Sequence, residues 1–228
     1  MIKKLEWDSD FFGIKVGELI LNTDTEINNE LDYNLIYVKS NTEYQVAIKN
    51  YFNTFSETKI LFGKELKTLH SLNNEVKSIS ETDHDIDQIY ELAFESGKQS
   101  RFKLDEKIGK ENFEKLYKAW VDNSLNYKFA TDVLLYKINA DVAGFVTYKI
   151  ESEIATIGLI AVSEIYQGQG IGKKLLQEVE NRLIQNKIQQ LNIPTQLENS
   201  QACNFYKNND YQIIETTNIK HYWHNENF

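Results

Sequence analysis

Apolar runs rich in β-branched and aromatic residues stand in three short stretches near the start of the chain, residues 14–21, 33–39 and 58–66, and predict β-strands. Between the last two, Asn41 or Thr42 is placed to cap a helix running to about residue 52. Residues 73–80 read as a connector followed by a short strand. The expected division falls there, with a smaller N-terminal α/β piece over 1–78 and a main domain over 79–228.

After Thr82 the pattern changes. Ile86, Ile89, Tyr90, Ala93 and Phe94 recur at helical spacing behind a cap at Thr82 or Asp83, and Phe113, Leu116, Tyr117 and Trp120 share one face of a second helix over 110–123. Three strands follow, 130–138, 143–151 and 154–162. The polar link Asn139-Ala140-Asp141 suits a hairpin, so antiparallel pairing of the three is expected. A helix over 173–187 has Ile171, Leu175, Leu176, Val179 and Leu183 on one stripe, as a helix packed on a sheet requires. The strand over 190–197 contains Pro194, the only proline, which points to a bulge or an edge. A helix capped at Asn199 or Ser200 runs to about residue 208, and 211–223 returns as strand. From Thr82 the order is α-α-β-β-β-α-β-α-β.

Between the third of those strands and the third helix stands Gln167-Gly168-Gln169-Gly170-Ile171-Gly172. Glycines in alternate positions let a ligand approach the backbone, and the next helix points its unpaired N–H groups and positive dipole end at the same space. Such a junction binds phosphate without one basic side chain per charge. A glycine-rich turn with no ligand has the same composition. Spacing rejects two competing phosphate motifs. A Walker A loop needs four residues between its first glycine and Gly-Lys-Ser/Thr, whereas only three separate Gly168 from Gly172, and Lys174 follows Lys173. A dinucleotide fingerprint starting at Gly168 would need glycine where Lys173 stands.

Composition narrows the partners. A length of 228 residues suffices for a buried core, and Cys203, the only cysteine, fits a reducing compartment. No apolar run reaches membrane-spanning length, and no apolar segment follows the N-terminal lysines as in a signal peptide, so a cytoplasmic location is expected. A net charge of −9 without a long basic cluster argues against nucleic acid and membrane as partners. It leaves a small anionic ligand open. No metal site is expected.

The element order around the glycine loop resembles the GNAT acetyltransferases. Gln167-x-x-Gly170-x-Gly172 is similar to that family's acetyl-CoA signature, and Asn199-Ser200-x-Ala202-x-x-Phe205-Tyr206-x-x-x-x-Tyr211 to its second cofactor-binding segment. Further pieces are similar to the TDP-fucosamine acetyltransferases, which acetylate the 4-amino group of dTDP-4-amino-4,6-dideoxygalactose. They are Leu5-Glu6-Trp7-Asp8-Ser9-Asp10-Phe11-Phe12-Gly13, Gln99-Ser100-Arg101-Phe102, Thr195-Gln196 and Tyr222-Trp223. The resemblance implies an α/β (α+β) GNAT acyl-CoA N-acyltransferase fold, a mixed central sheet flanked by helices. It also implies acetyl-CoA as co-substrate and a nucleotide-linked amino sugar as acceptor, with a homodimer allowed for. Acetylation of a polyamine, peptide or antibiotic amine stands as the alternative, and a CoA-binding module without catalysis as a third reading.

Residue roles follow from the same resemblance. Amides of Gln167, Gly168, Gln169, Gly170, Ile171 and Gly172, with Lys173 beside them, would hold the cofactor pyrophosphate. The pantetheine arm would pair with Leu159, Ile160, Ala161 and Val162, which are equally suited to a buried strand. Asn199 matches a cofactor-contacting position and is also placed to cap a helix. Tyr206 falls on the family's general-acid position, and a phenol with a pKa near 10 is matched to protonating a thiolate. Phe205 departs from close relatives, which can carry a basic residue there; Lys207 lies about 100° further round a helix from its neighbour. Arg101 is the candidate for the substrate's pyrophosphate and Phe102 for covering a base or sugar face. The structural alternative is an Arg101–Asp105 ion pair with Phe102 in the core. Thr195 and Gln196 border the expected cleft or serve only as strand residues. A general base is left open among Glu151, Glu153 and Glu198, and Cys203 reads as a packing residue.

Overall fold

The computed structural model describes residues 2–21, 32–71 and 74–225. Their strands are β1 (Lys3–Lys4), β2 (Val16–Ile20), β3 (Leu35–Ser40), β4 (Tyr51–Glu65), β5 (Val76–Ser78), β6 (Asp132–Ile138), β7 (Asp141–Glu151), β8 (Ile154–Val162), β9 (Gln190–Gln196) and β10 (Gln212–His224). They form one ten-stranded sheet in the order β1-β2-β3-β10-β4-β9-β8-β7-β6-β5. Pairing is antiparallel except at β2–β3 and β8–β9, so the sheet is mixed. Strands from both sides of residue 78 interleave at its centre, with β10 between β3 and β4.

The helices are α1 (Glu6–Phe12), α2 (Ile86–Ser96), α3 (Arg101–Leu104), α4 (Gly109–Leu125), α5 (Ile171–Gln185) and α6 (Ser200–Lys207). They cover both faces, and the alternation along β6 and β7 explains how. Leu134, Tyr136, Val146 and Tyr148 pack with Leu175, Leu176, Val179 and Leu183 of α5. Val133, Leu135 and Phe145 point the other way, to Ile89 and Ala93 of α2 and Phe113 and Leu116 of α4. The predicted order after Thr82 is present with one short helix, α3, added. Asp85, rather than Thr82 or Asp83, caps α2 through the Asp87 N–H.

The helix expected over 41–52 does not form; the segment is irregular and Tyr51 opens β4. Tyr44, Val46 and Ile48 are two apart, and all three pack with Ile36, Val38 and Tyr222. A helix would spread that spacing around its axis. The carbonyls of Tyr44 and Val46 instead accept from Lys220 Nζ and the Tyr222 hydroxyl, each at 2.7 Å. The strand expected over 58–66 is thus the second half of a much longer β4. Helix α1, absent from the sequence reading, ends at Gly13 with φ 66. Of the connector placed over 73–80, Asn73 lies outside the described residues.

Candidate active site

β8 and β9 are paired only at their starts, where Ile154, Ala155 and Thr156 lie opposite Gln190, Leu191 and Asn192. Beyond that point they part. Pro194, with no N–H to offer, sits in the section of β9 that has β4 as its sole neighbour. On the other side β8 carries a bulge, because Tyr148 faces Ile157 and Val146 faces Ile160, leaving Gly158 and Leu159 against Thr147. A Cβ at Gly158 would stand 2.7 Å from Thr147 Oγ1. That oxygen accepts the Leu159 N–H at 2.9 Å.

The bulge sets which main-chain groups are free. The Leu159 N–H goes to β7 through Thr147, and the Ser163 N–H goes to the Ala143 carbonyl at 2.9 Å. With a period of two, the polar groups of Ile160 and Val162 face the gap between β8 and β9, and those of Leu159 and Ala161 face β7. Gln167 Nε2 reaches back to the Val162 carbonyl at 3.2 Å.

A cleft of about 1200 Å³ runs through that gap. Every residue assigned from the sequence to catalysis, cofactor or substrate lines it except Gln169, which is exposed on the loop. At one end, Gly168 and Gly170 hold φ 77 and φ 78, a conformation that turns successive amides to one side. A Cβ on either glycine would meet nothing within 4 Å, so the cradle is open. No side chain caps α5, whose first intrahelical partner is the Gly170 carbonyl for the Lys174 N–H at 3.1 Å. The N–H groups of Ile171, Gly172 and Lys173 therefore stay available for an anion. Lys174 pairs with Glu75, whereas Lys173 lines the cleft. The loop geometry, the free amides and the dipole together fit a pyrophosphate.

Tyr206 occupies the middle. Its ring packs 5.4 Å from both Phe62 and Phe205, and burial pushes its phenol pKa upward, with Cys203 adding to the shift. Tyr206 lines the cleft, and no hydrogen bond to its hydroxyl is formed among the described residues. Helix α6 is fixed by Asn199, whose side chain accepts the Ala202 N–H at 3.1 Å. Cys203 is buried, and its thiol donates to the Gln196 carbonyl at 3.4 Å. The cysteine thus ties α6 to the end of β9.

The far end is more polar than the sequence indicated. Arg101 Cζ lies 4.4 Å from the Tyr37 ring centroid and 4.7 Å from that of Phe102. Phe102 itself is buried between Phe12 and Trp120. The Arg101–Asp105 ion pair is not formed. Asp105 accepts from His221 Nδ1 at 2.6 Å and Trp223 Nε1 at 3.1 Å. Glu57 and Lys59 of β4 also line the cleft, and burial raises the pKa of the first and lowers that of the second. Neither Arg101 nor Lys59 forms an ion pair among the described residues. Of the three candidate bases, Glu198 lines the cleft; Glu151 and Glu153 do not. Glu57 stands one residue before the strand expected over 58–66 and Lys59 within it, and neither belongs to a motif that would mark it in the sequence. His221 was recoverable, since Ile219-x-His221-x-Trp223 alternates like the inward face of a strand.

Known proteins resemble the chain in sequence and in fold. Residues 86–211 match the model of the acetyltransferase (GNAT) family. The spore coat polysaccharide biosynthesis protein SpsD of Bacillus subtilis (strain 168) is 24% identical over 139 residues, which are 61% of this chain and 48% of that protein. The chain thus spans about half the length of that curated relative. Among solved structures, a GNAT-family structure from Novosphingobium aromaticivorans aligns with TM-score 0.57 and 9% identity, covering 83% of this chain and 74% of its own. A functionally unknown conserved protein from Staphylococcus epidermidis aligns with TM-score 0.60 and 12% identity over 84% of this chain and 73% of its own. At these identities the structures speak for the fold alone. No helix among the described residues is long and apolar enough to cross a membrane.

Proposed function

Because the chain belongs to the GNAT acetyltransferase family, we propose that it moves an acetyl group to the amine of a nucleotide-linked amino-deoxy sugar, with Tyr206 as general acid. Acetyl-CoA, the family's donor, supplies the thioester. The amides of residues 168–173 hold its pyrophosphate, and the main-chain groups of Ile160 and Val162 continue the sheet onto its pantetheine arm. As the acceptor nitrogen bonds to the acetyl carbon and the carbon–sulfur bond breaks, Tyr206 gives its phenolic proton to the departing sulfur. The nitrogen's proton leaves to a carboxylate of the cleft, where Glu57 and Glu198 are the two near β4 and β9. An upward-shifted phenol stays protonated at neutral pH, which suits a donor and not a base.

One observation supports this chemistry above the others: the unengaged Tyr206 hydroxyl shares one cleft with the open amide cradle. The sugar acceptor draws its support from the likeness to SpsD, whose name concerns polysaccharide biosynthesis, and from the charged wall around Arg101. A thiol-release assay against TDP- and UDP-linked amino sugars, polyamines and short peptides tests it. Release with a nucleotide sugar, competed by TDP, is the expected result. Release with polyamines or peptides alone would overturn the acceptor and keep the donor half. Absence of release with every amine, alongside acetyl-CoA binding, would leave the non-catalytic reading.

A further inference from the structure

Among the described residues, four buried side-chain polar atoms lack a hydrogen-bond partner: the Tyr37 hydroxyl, Glu57 Oε2, Arg101 Nη1 and His221 Nε2. They are gathered around one guanidinium. Tyr37, His221 and Phe55 lie side by side on β3, β10 and β4, and Glu57 is two residues along from Phe55, opposite Ile219. The Tyr37 and His221 rings are 4.7 Å apart, Arg101 covers Tyr37 at 4.4 Å, and Glu57 faces the Arg101 main-chain N–H. Arg101 and Glu57 line the cleft. Orphaned buried groups are rare in folded proteins and call for a partner that the protein itself does not provide.

The four atoms specify that partner's chemistry. Asp105 already accepts from Trp223 Nε1 and from the Lys107 N–H at 3.1 Å, so it is an ionised acceptor and His221 Nδ1 must be the donor to it. His221 is therefore held with Nε2 as a bare acceptor. Arg101 Nη1 and the Tyr37 hydroxyl are donors; Glu57 Oε2 and His221 Nε2 are acceptors. A phosphate presents acceptors alone and would bring its charge against the Glu57 carboxylate. An ammonium presents donors alone and would face Arg101. A hydroxyl does both.

We propose that Tyr37, Glu57, Arg101 and His221 form a hydroxyl-reading subsite that recognises neighbouring ring hydroxyls of a sugar acceptor. It rests on the acetyl-transfer reading of the cleft, and it moves Arg101 from phosphate binding to hydroxyl recognition. Tyr37 and His221 are fully buried behind Arg101, and Arg101 with Glu57 forms the part of the subsite that borders the cleft.

The test compares TDP-4-amino-4,6-dideoxygalactose with its 3-deoxy analogue, by calorimetric binding to the enzyme–CoA complex and by thiol release. A site built to hydrogen-bond a hydroxyl should prefer the hydroxylated compound by about 10²-fold or more. Tyr37→Phe and Arg101→Met should each bring that ratio down at least tenfold by weakening the hydroxylated compound, with acetyl-CoA affinity unchanged. Tyr37→Phe should leave the melting temperature of the ligand-free protein unchanged or higher, since an orphaned hydroxyl supports nothing. Equal binding of the two compounds by wild type would overturn the proposal without any variant. A melting temperature that drops in Tyr37→Phe, with an unaltered ratio, would overturn it too, as it would assign the cluster to an internal water. If no amine releases thiol, the acetyl-transfer reading fails, and the hydroxyl preference is still decided by the calorimetric ratio.

Discussion

Tyr206 is buried apart from the surface it gives to the cleft, and its hydroxyl holds nothing in the fold. Tyr206→Phe should therefore leave folding and acetyl-CoA binding almost untouched while lowering turnover by about 10²- to 10⁴-fold. Steady-state kinetics beside calorimetry checks this, and full activity in the variant would remove the acid. Since burial moves the phenol upward, loss of activity from its ionisation should lie above pH 10, beyond the ordinary tyrosine value. Gly170 acts through conformation. At φ 78, Gly170→Ala adds strain of about 1–2 kcal/mol, although its Cβ would meet no protein atom within 4 Å. A modest fall in melting temperature with at least a tenfold weaker acetyl-CoA Kd is expected; undiminished affinity would separate the loop from the cofactor. At this scale the sequence was most legible where backbone conformation demands a residue type, as at Gly168 and Gly170. It was least legible at Glu57, because a lone carboxylate in a polar strand carries no sign of burial.

At the scale of elements, the site depends on where β8 stops pairing with β9. Thr147 fixes that, by occupying the space beside Gly158 and taking the Leu159 N–H. Thr147→Val keeps the shape and leaves that buried N–H without an acceptor, a cost of about 1–3 kcal/mol. Chemical denaturation should register the loss, and turnover should fall about tenfold as the phase of Ile160 and Val162 relaxes. Thr147→Ser should restore both; a silent Val variant would detach Thr147 from the site. Pro194 flagged the parting strand in the sequence, because a missing donor is visible in one letter. The bulge was not visible, since Gly158 and Thr147 acquire meaning only once β7 and β8 are in register. The false helix over 41–52 has a related cause. Tyr44, Val46 and Ile48 alternate, but the side-chain donors that hold their backbone, Lys220 and Tyr222, lie some 175 residues away, at a separation of 176 for each hydrogen bond.

For the whole molecule, the buried His221–Asp105 pair at the junction of β10 and α3 couples stability to pH. Burial lowers the His221 pKa to about 4, against 6.5 when unfolded. Between those values the unfolded chain binds the extra proton, so stability is complete above pH 6.5 and falls as pH drops toward 4, by up to about 1.4 kcal/mol per pH unit. Glu57, raised by burial, acts in the opposite sense, which makes the difference between wild type and His221→Gln the informative quantity. Denaturation at pH 7, 5.5 and 4.5 should show a shallower decline in the variant, and parallel declines would exclude His221. Element order and the family's glycine loop were readable along the chain because both are local. The strand order was not, as it follows from pairings between distant segments. That order has a consequence for synthesis. The inner edge of β3 is joined to β4 only through β10, which begins at Gln212. On a ribosome adding about 5–20 residues per second, the finished edge of β3 waits on the order of ten seconds or longer for its partner. Throughout that interval it is an open template for another nascent chain, so the vulnerable period of this protein is its birth, before β10 has left the exit tunnel.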